Sequence, residues 1–227
     1  MKAATTLALI VPTGKGKPMQ RKRVTDMAEI ETADLWGEPV AGAPYPMSLE
    51  QFLDWPEEPD KHYELIRGRL IEMPGTGGGH GILVNMLGAA LAAQCGYLGY
   101  IMTGEPLFVL ALPGVEEPES MAADVAFVRT ERAPTKSDYK AFYAPWHVAP
   151  DLVIEIASPS DRPGTAAKKM REWLAGGVKL AWVLWPERRR VDVWQPGDTN
   201  PSEELGMADA LDAGDIAPFV LPVRELF

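Results

Sequence analysis

The sequence predicts an α/β fold: a mixed β-sheet flanked by helices, with added β-hairpins. Three observations carry that expectation. Short strand-like runs outnumber helical ones along the chain. Two longer segments, one beginning near His80 and one from Gly164 to Ala175, place apolar residues at helical spacing. No internal repeat or low-complexity tract points to a solenoid, and the two helices suit a layered arrangement rather than a barrel or a bundle.

Taken in order, the chain opens with residues 1–46, rich in Gly, Pro, Thr and charge, which read as a partly disordered extension before one domain over residues 47–227. PTGKGKP in the extension lacks the spacing of a phosphate loop. Ser48 with Gln51 three residues later forms a capping box and starts a short helix. HYELI and RLIEM read as strands of a hairpin, with Gly68 supplying the turn. PGTGGG reads as a plain connector into the helix that His80 begins, where Ile82, Leu83, Met86, Leu87, Ala90 and Leu91 recur. LGYIM and EPLFVLAL are strands, GVEEPES an acidic loop, and AADVAFV a short strand with Asp124 at its entrance. The stretch ERAPTKSDYKAFYAPWHVAP reads as a long surface segment. LVIEI is a buried strand, Gly164–Ala175 a helix ended by Gly176-Gly177, VKLAWVLW the most hydrophobic strand, and RRVDVWQ its hairpin partner after a PERR turn. DIAPFVLPVRELF closes the chain with a strand and a turn.

Composition bounds what such a domain does. The chain has 227 residues with 46% hydrophobic content, enough to bury one good core. Its formal net charge of −10 argues against a broad non-specific nucleic-acid binder. Basic residues cluster locally: six Lys or Arg and no acid in residues 1–23, and eight against three acids in residues 161–190. The second cluster could meet a phosphate backbone or form a solvated helix face. Cys95 is the single cysteine, which excludes an internal disulfide framework and a thiolate metal site and makes a cytoplasmic setting the default. TTLALIV is short for a signal peptide and too short to span a bilayer, so no membrane anchor is expected.

The chemistry lies where the pattern is broken. Glu155 sits inside an apolar strand, and a carboxylate taken out of water must be protonated, paired or bound to a metal. Asp124 enters a neighbouring strand, so the two acids can reach a shared cation, where oxygen ligands favour Mg²⁺ or Mn²⁺. Lys169 follows on the next helix, and two carboxylates with a lysine form a kit for phosphodiester hydrolysis. His80 or Glu64 could complete it as an added ligand or general base. Each has a plainer alternative. Asp124 can cap a turn, Glu155 and Lys169 can form a structural ion pair, Lys169 can be solvated beside Lys168 and Arg171, and His80 can cap or pack a helix. Ser158 and Ser160 are expected to cap the helix that follows, and Trp173, Trp182, Trp185 and Trp194 to be core or sheet-edge aromatics.

From about Ser48 to the C-terminus the chain resembles the Uma-type family of restriction-endonuclease-like proteins, within the PD-(D/E)XK nuclease superfamily. The residues that carry the resemblance are HYELIRGRLIEM and the following histidine, ADVAFV, PDLVIEIASPSD, AAKKMREWLAGGV, LAWVLWPERRRVDVW and LPVRELF. It implies a restriction-endonuclease-like core, a divalent metal held by Asp124 and Glu155, and hydrolysis of DNA. In that family the lysine two residues after the second acid is usually replaced by one on the next helix. Ala157 stands at the former place here, and Lys169, with Lys168 as a substitute, at the latter. Ala123 replaces the family's proline before the first acid. Asp151 of Pro150-Asp151 is too close to Glu155 along one strand to be that acid. A homodimer would suit cutting of both strands. The rival readings are a catalytically inert nuclease fold binding nucleic acid or a protein partner, and a metal-dependent hydrolase of smaller phosphoesters.

Overall fold

A computed structural model describes residues 38–227, apart from 57, 60, 74 and 160. The basic N-terminal cluster, TTLALIV, PTGKGKP and Ser160 lie outside the described residues. The elements in order are β1 (Glu38–Pro39), α1 (Leu49–Leu53), β2 (His62–Ile66), β3 (Arg69–Met73), α2 (Gly78–Cys95), β4 (Gly99–Thr103), β5 (Leu107–Leu110), β6 (Glu119–Ala122), β7 (Val125–Arg129), α3 (Tyr139–Tyr143), β8 (Leu152–Ile156), α4 (Pro163–Ala175), β9 (Leu180–Trp185), β10 (Arg190–Trp194), β11 (Glu203–Leu205), β12 (Ala210–Asp212) and β13 (Val220–Pro222).

Local chemistry sets the boundaries. Ser48 Oγ accepts the Gln51 N–H at 3.2 Å while Gln51 Oε1 accepts the Ser48 N–H at 2.8 Å, the reciprocal cap that starts α1. Arg67 and Gly68 both have positive φ, 49° and 70°, as a two-residue hairpin turn with the right twist requires. A short strap, β1, pairs with the outer edge of β3.

The strands divide between two sheets and a hairpin. A six-stranded sheet runs β11-β10-β9-β8-β7-β4, and a five-stranded sheet runs β1-β3-β2-β6-β5. The larger sheet is mixed: β8 and β9 are parallel, its other pairs antiparallel. A parallel pair needs a crossover, and α4 is that crossover.

Alternation along the strands separates two apolar layers. Ala126, Val128, Val153, Ala181 and Val183 face Met170 and Trp173 of α4 together with Ile66, Phe108 and Met121 of the smaller sheet. Val125, Phe127, Leu152, Ile154 and Trp182 face the other way, against Leu83, Leu87 and Leu91 of α2 and Leu211 and Phe219 near the C-terminus. Glu155 shares the parity of Val153, so it points toward α4 and the smaller sheet.

Several sequence expectations need correction. GVEEPES is not wholly a loop, because Glu119 and Ser120 belong to β6 and are buried. The surface segment contains α3, whose N-cap Asp138 accepts the Ala141 N–H, and it buries Trp146. Ser158 does not cap α4. The N-cap is Arg162 with Pro163 behind it, and the Ser158 N–H instead donates to Asp161 Oδ2 at 2.7 Å. The three-residue strands β11 and β12 are too short and polar to show a period.

Glu119 yields a pH prediction. Its Oε1 accepts the Arg67 N–H at 2.6 Å while its Oε2 is buried with no hydrogen-bond partner among the described residues. Burial, reinforced by Glu172 and opposed by Arg67, pushes its carboxyl up to about 7. A carboxyl raised in the folded state contributes stability that is complete below its ordinary value of 4.5 and lost as pH rises through about 7. Glu119→Gln keeps the acceptor and removes the ionisation, so it should flatten that decline and be about 1–3 kcal/mol more stable than the parent at pH 8. Urea midpoints from pH 5 to 8 check this; parallel profiles for the two proteins would contradict it.

Candidate active site

The antiparallel register of β7 and β8 brings the two acids of the site together. Val125 pairs with Ile154 in the antiparallel β7–β8 ladder, so Asp124, one residue before β7, falls across from Glu155. Its Oδ2 accepts the Ile156 N–H at 2.6 Å, which fixes the carboxylate where the two strands end. From the crossover helix, Lys169 reaches down to the same point, its Nζ 3.0 Å from Glu155 Oε2. Trp173, four residues on and therefore on the same face of α4, donates its Nε1–H to Glu155 Oε1 at 2.9 Å. The smaller sheet contributes Glu64 from β2. Its Oε1 lies 3.3 Å from Lys169 Nζ and accepts the Ala122 N–H at 3.2 Å. His80, in the first turn of α2, places Nε2 3.1 Å from Asp124 Oδ2.

Glu64, His80, Asp124, Glu155 and Lys169 all line one cavity of about 630 Å³. Lys168 is not among its lining residues: one position further round the helix, it is half-buried away from the carboxylates. Lys169 is buried, so the solvated-helix alternative does not describe it. Asp151 lies at the far end of β8, where its buried carboxylate takes the Arg129 N–H, Lys179 and Arg132, a structural ion cluster outside the cavity.

Sequence reasoning missed two residues of the site. Trp173 was legible only as a core aromatic, although its spacing from Lys169 placed both on one helical face. Glu105 carries no sequence signal. It follows Gly104 at the β4–β5 turn, adopts a left-handed φ of 61° and lines the cavity with its carboxylate on His62 Nδ1 at 3.1 Å. Gly75, Gly77 and Gly79 of the connector also line the cavity, and Gly77 is the N-cap at which α2 begins, with no side-chain cap.

Negative charge is in excess here. Burial, reinforced by Asp124 and Glu64 and opposed by Lys169, lifts the Glu155 carboxyl well above its ordinary range. Burial alone would lower the Lys169 ammonium, but Glu155, Glu64 and Asp124 outweigh it and hold the lysine charged. The hydrogen bond to Asp124 raises His80 against the effect of burial, with Glu105 and Asp161 adding to it. Three carboxylates thus surround one ammonium and one imidazole. Such an imbalance in a low-dielectric cleft costs free energy unless Glu155 holds a proton, as its raised carboxyl allows, or a further cation shares the site.

The donor set fits a hard divalent cation only as a two-carboxylate site. Among the described residues no group of three or more His, Cys, Asp or Glu is arranged to hold a metal ion. Mg²⁺ is commonly held by one or two carboxylates, with water and substrate phosphate completing its shell. Asp124 supplies its Oδ1, which accepts no hydrogen bond among the described residues. Glu155, whose side chain is 13% exposed, opens onto the same space.

Comparison with known proteins agrees with this architecture. The model of the family described as "Uma2: Putative restriction endonuclease" matches residues 49–224. No match was found among curated proteins. Among solved structures, the fold is similar to that of a protein from Anabaena variabilis ATCC 29413, described as a putative nuclease belonging to DUF820. The two superpose with a TM-score of 0.66 at 22% identity, covering 80% of this chain and 98% of that one. The likeness establishes a restriction-endonuclease-like fold. No helix among the described residues is long and apolar enough to cross a membrane. With the family model spanning the larger sheet, all of the smaller sheet but β1, both long helices and the cavity, the chain belongs to the Uma2 family of restriction-endonuclease-like proteins.

Proposed function

We propose that this protein is a divalent-metal-dependent endonuclease that hydrolyses DNA phosphodiester bonds in the cavity beneath α4. The observation that carries the reading is the convergence of Asp124, Glu155 and Lys169 on one point from two adjacent strands and the helix that crosses over them. Asp124 and Glu155 would hold Mg²⁺ or Mn²⁺. The cation, when bound, supplies Lewis acidity toward the scissile phosphate and a lower pKa for water at the site.

The chain's own groups do the rest. Lys169, kept protonated by Glu155 and Glu64, presents a fixed positive charge to the phosphate oxygens as their charge grows, without reorganising. Trp173 holds the Glu155 carboxylate in one orientation, and the Ile156 N–H does the same for Asp124. His80 is oriented by Asp124 and adds a proton donor to the cavity wall. The N-terminus of α2 faces the same space, where its dipole favours an anion.

One observation favours a second reading. Both oxygens of Glu155 already have partners in Lys169 and Trp173, which suits an inert fold in which the pair is structural. Cleavage of plasmid and single-stranded circular DNA separates the two. The nuclease should cut in Mg²⁺ or Mn²⁺, stop in chelator, and lose at least about a hundredfold in rate on Asp124→Asn. Cutting that persists in chelator, or an Asp124→Asn variant at parental rate, would overturn the proposal.

A further inference from the structure

Beside the cavity lies a second groove of about 810 Å³, and the two share Glu64, Met73, Glu105 and Ala122 as a common wall. Its character differs from the catalytic cavity. Trp55, Tyr63, Tyr100, Phe142 and Tyr143 line it. Tyr100 meets both Phe142 and Trp146 edge-on with ring centroids 5.6 Å apart, and Trp146 Nε1–H donates to the Phe142 carbonyl at 2.9 Å, so this part of the wall is a rigid aromatic block. Tyr143 projects from that block. Its ring is 5.4 Å from Phe142 and 4.4 Å from Tyr139, yet the residue is 70% exposed.

Charge says what such a groove does not bind. Glu58, Glu64 and Glu105 line it against Lys61 and His62; Lys61 is tied to Glu58 and Glu72, and His62 to Glu105. A phosphate finds little there. A nucleobase does, because it is flat, uncharged and stacks on aromatic faces whatever its sequence. Bases inside a duplex are already stacked and cannot enter. Lys136 lies over the Tyr100 ring, 5.4 Å from its centre, and brings one positive charge to the aromatic block.

We propose that this groove holds unpaired bases of the DNA strand whose phosphate occupies the neighbouring cavity, so that the preferred substrate is single-stranded or locally opened DNA. The proposal rests on the nuclease reading for the identity of the strand, and its test separates the two. The full chain is titrated, in Ca²⁺, against a fluorescein-labelled single-stranded oligonucleotide and its blunt duplex, with a 2-aminopurine-containing strand as a stacking probe. The parent should bind the single strand more tightly and quench the 2-aminopurine. Tyr143→Ala should weaken single-strand binding about 5- to 100-fold and abolish the quenching, while Tyr143→Phe, which keeps the ring, stays within about twofold of the parent.

Tyr143→Ala binding the single strand as the parent does, or a parent that prefers duplex or binds neither, would overturn the groove assignment. If the groove instead serves a second copy of the chain, Tyr143→Ala would change the mass seen by light scattering and leave the titration unmoved, which also overturns it. Tyr143-dependent binding in a protein that never cleaves would retain the groove and sink the nuclease. Metal-dependent cleavage with Tyr143-independent binding would do the reverse.

Discussion

Glu155→Gln is expected to lower DNA cleavage by at least about a thousandfold, roughly 4 kcal/mol of transition-state stabilisation, while leaving the protein folded. The carboxylate is the one group that touches the crossover lysine, the Trp173 indole and the cavity together. An amide keeps one acceptor oxygen but cannot supply an anionic ligand. Two donors converge on Glu155, so the glutamine NH₂ must face one of them, leaving a buried donor unmet at about 1–3 kcal/mol. Against that cost, the variant removes a carboxylate that burial already disfavours as an anion. The two effects offset, and the urea midpoint should move little. Cleavage rate and urea midpoint on the same preparation check both halves. A variant that cuts at the parental rate would place the site elsewhere.

Lys169→Met should have the largest effect on stability. It removes the ammonium shared by Glu155 and Glu64 and leaves buried carboxylates facing one another across a low-dielectric cleft. Breaking a buried pair from one side costs about 3–5 kcal/mol. The cost should depend on pH with a definite sign. Without the lysine the Glu155 carboxyl is lifted further, so the folded state binds more protons than the unfolded one. The stability that protonation provides is present at pH 5 and lost as pH rises. The variant should therefore approach the parent in urea unfolding at pH 5 and fall well below it at pH 8. A loss under about 1 kcal/mol at both values would show that the lysine is not the counterion of the cluster.

What was legible in the sequence was what broke a local pattern. A glutamate in LVIEI conflicts with burial, and that conflict singled out Glu155 before any fold was known. Asp124 stood at the mouth of a second apolar run. Gly68 and the Ser48–Gln51 pair announced a turn and a helix start because their chemistry acts within a few residues. Long-range packing hid the rest. Glu64 looks like any polar residue of an alternating strand, and only the stacking of the smaller sheet against α4 carries it to Lys169. Lys168 and Lys169 are indistinguishable in sequence, and one position of helical rotation decides which is buried. Glu119 read as a loop acid because the Arg67 N–H that holds it comes from a turn 52 positions earlier in the chain. The aromatic groove gave no signal either, since its rings come from α1's exit, β2, β4 and α3.

A cation held by Asp124 and Glu155 is the centre of the proposed chemistry, and calorimetric titration of Mn²⁺ tests it without presupposing a substrate. Mn²⁺ would be titrated into the parent, Asp124→Asn and Glu155→Gln, with and without a DNA oligonucleotide. The expected result is saturable binding to the parent that is lost in both variants. A parent that takes up no Mn²⁺ even with DNA present, or variants that bind it as the parent does, would contradict the metal centre and leave Glu155 and Lys169 as a buried structural ion pair.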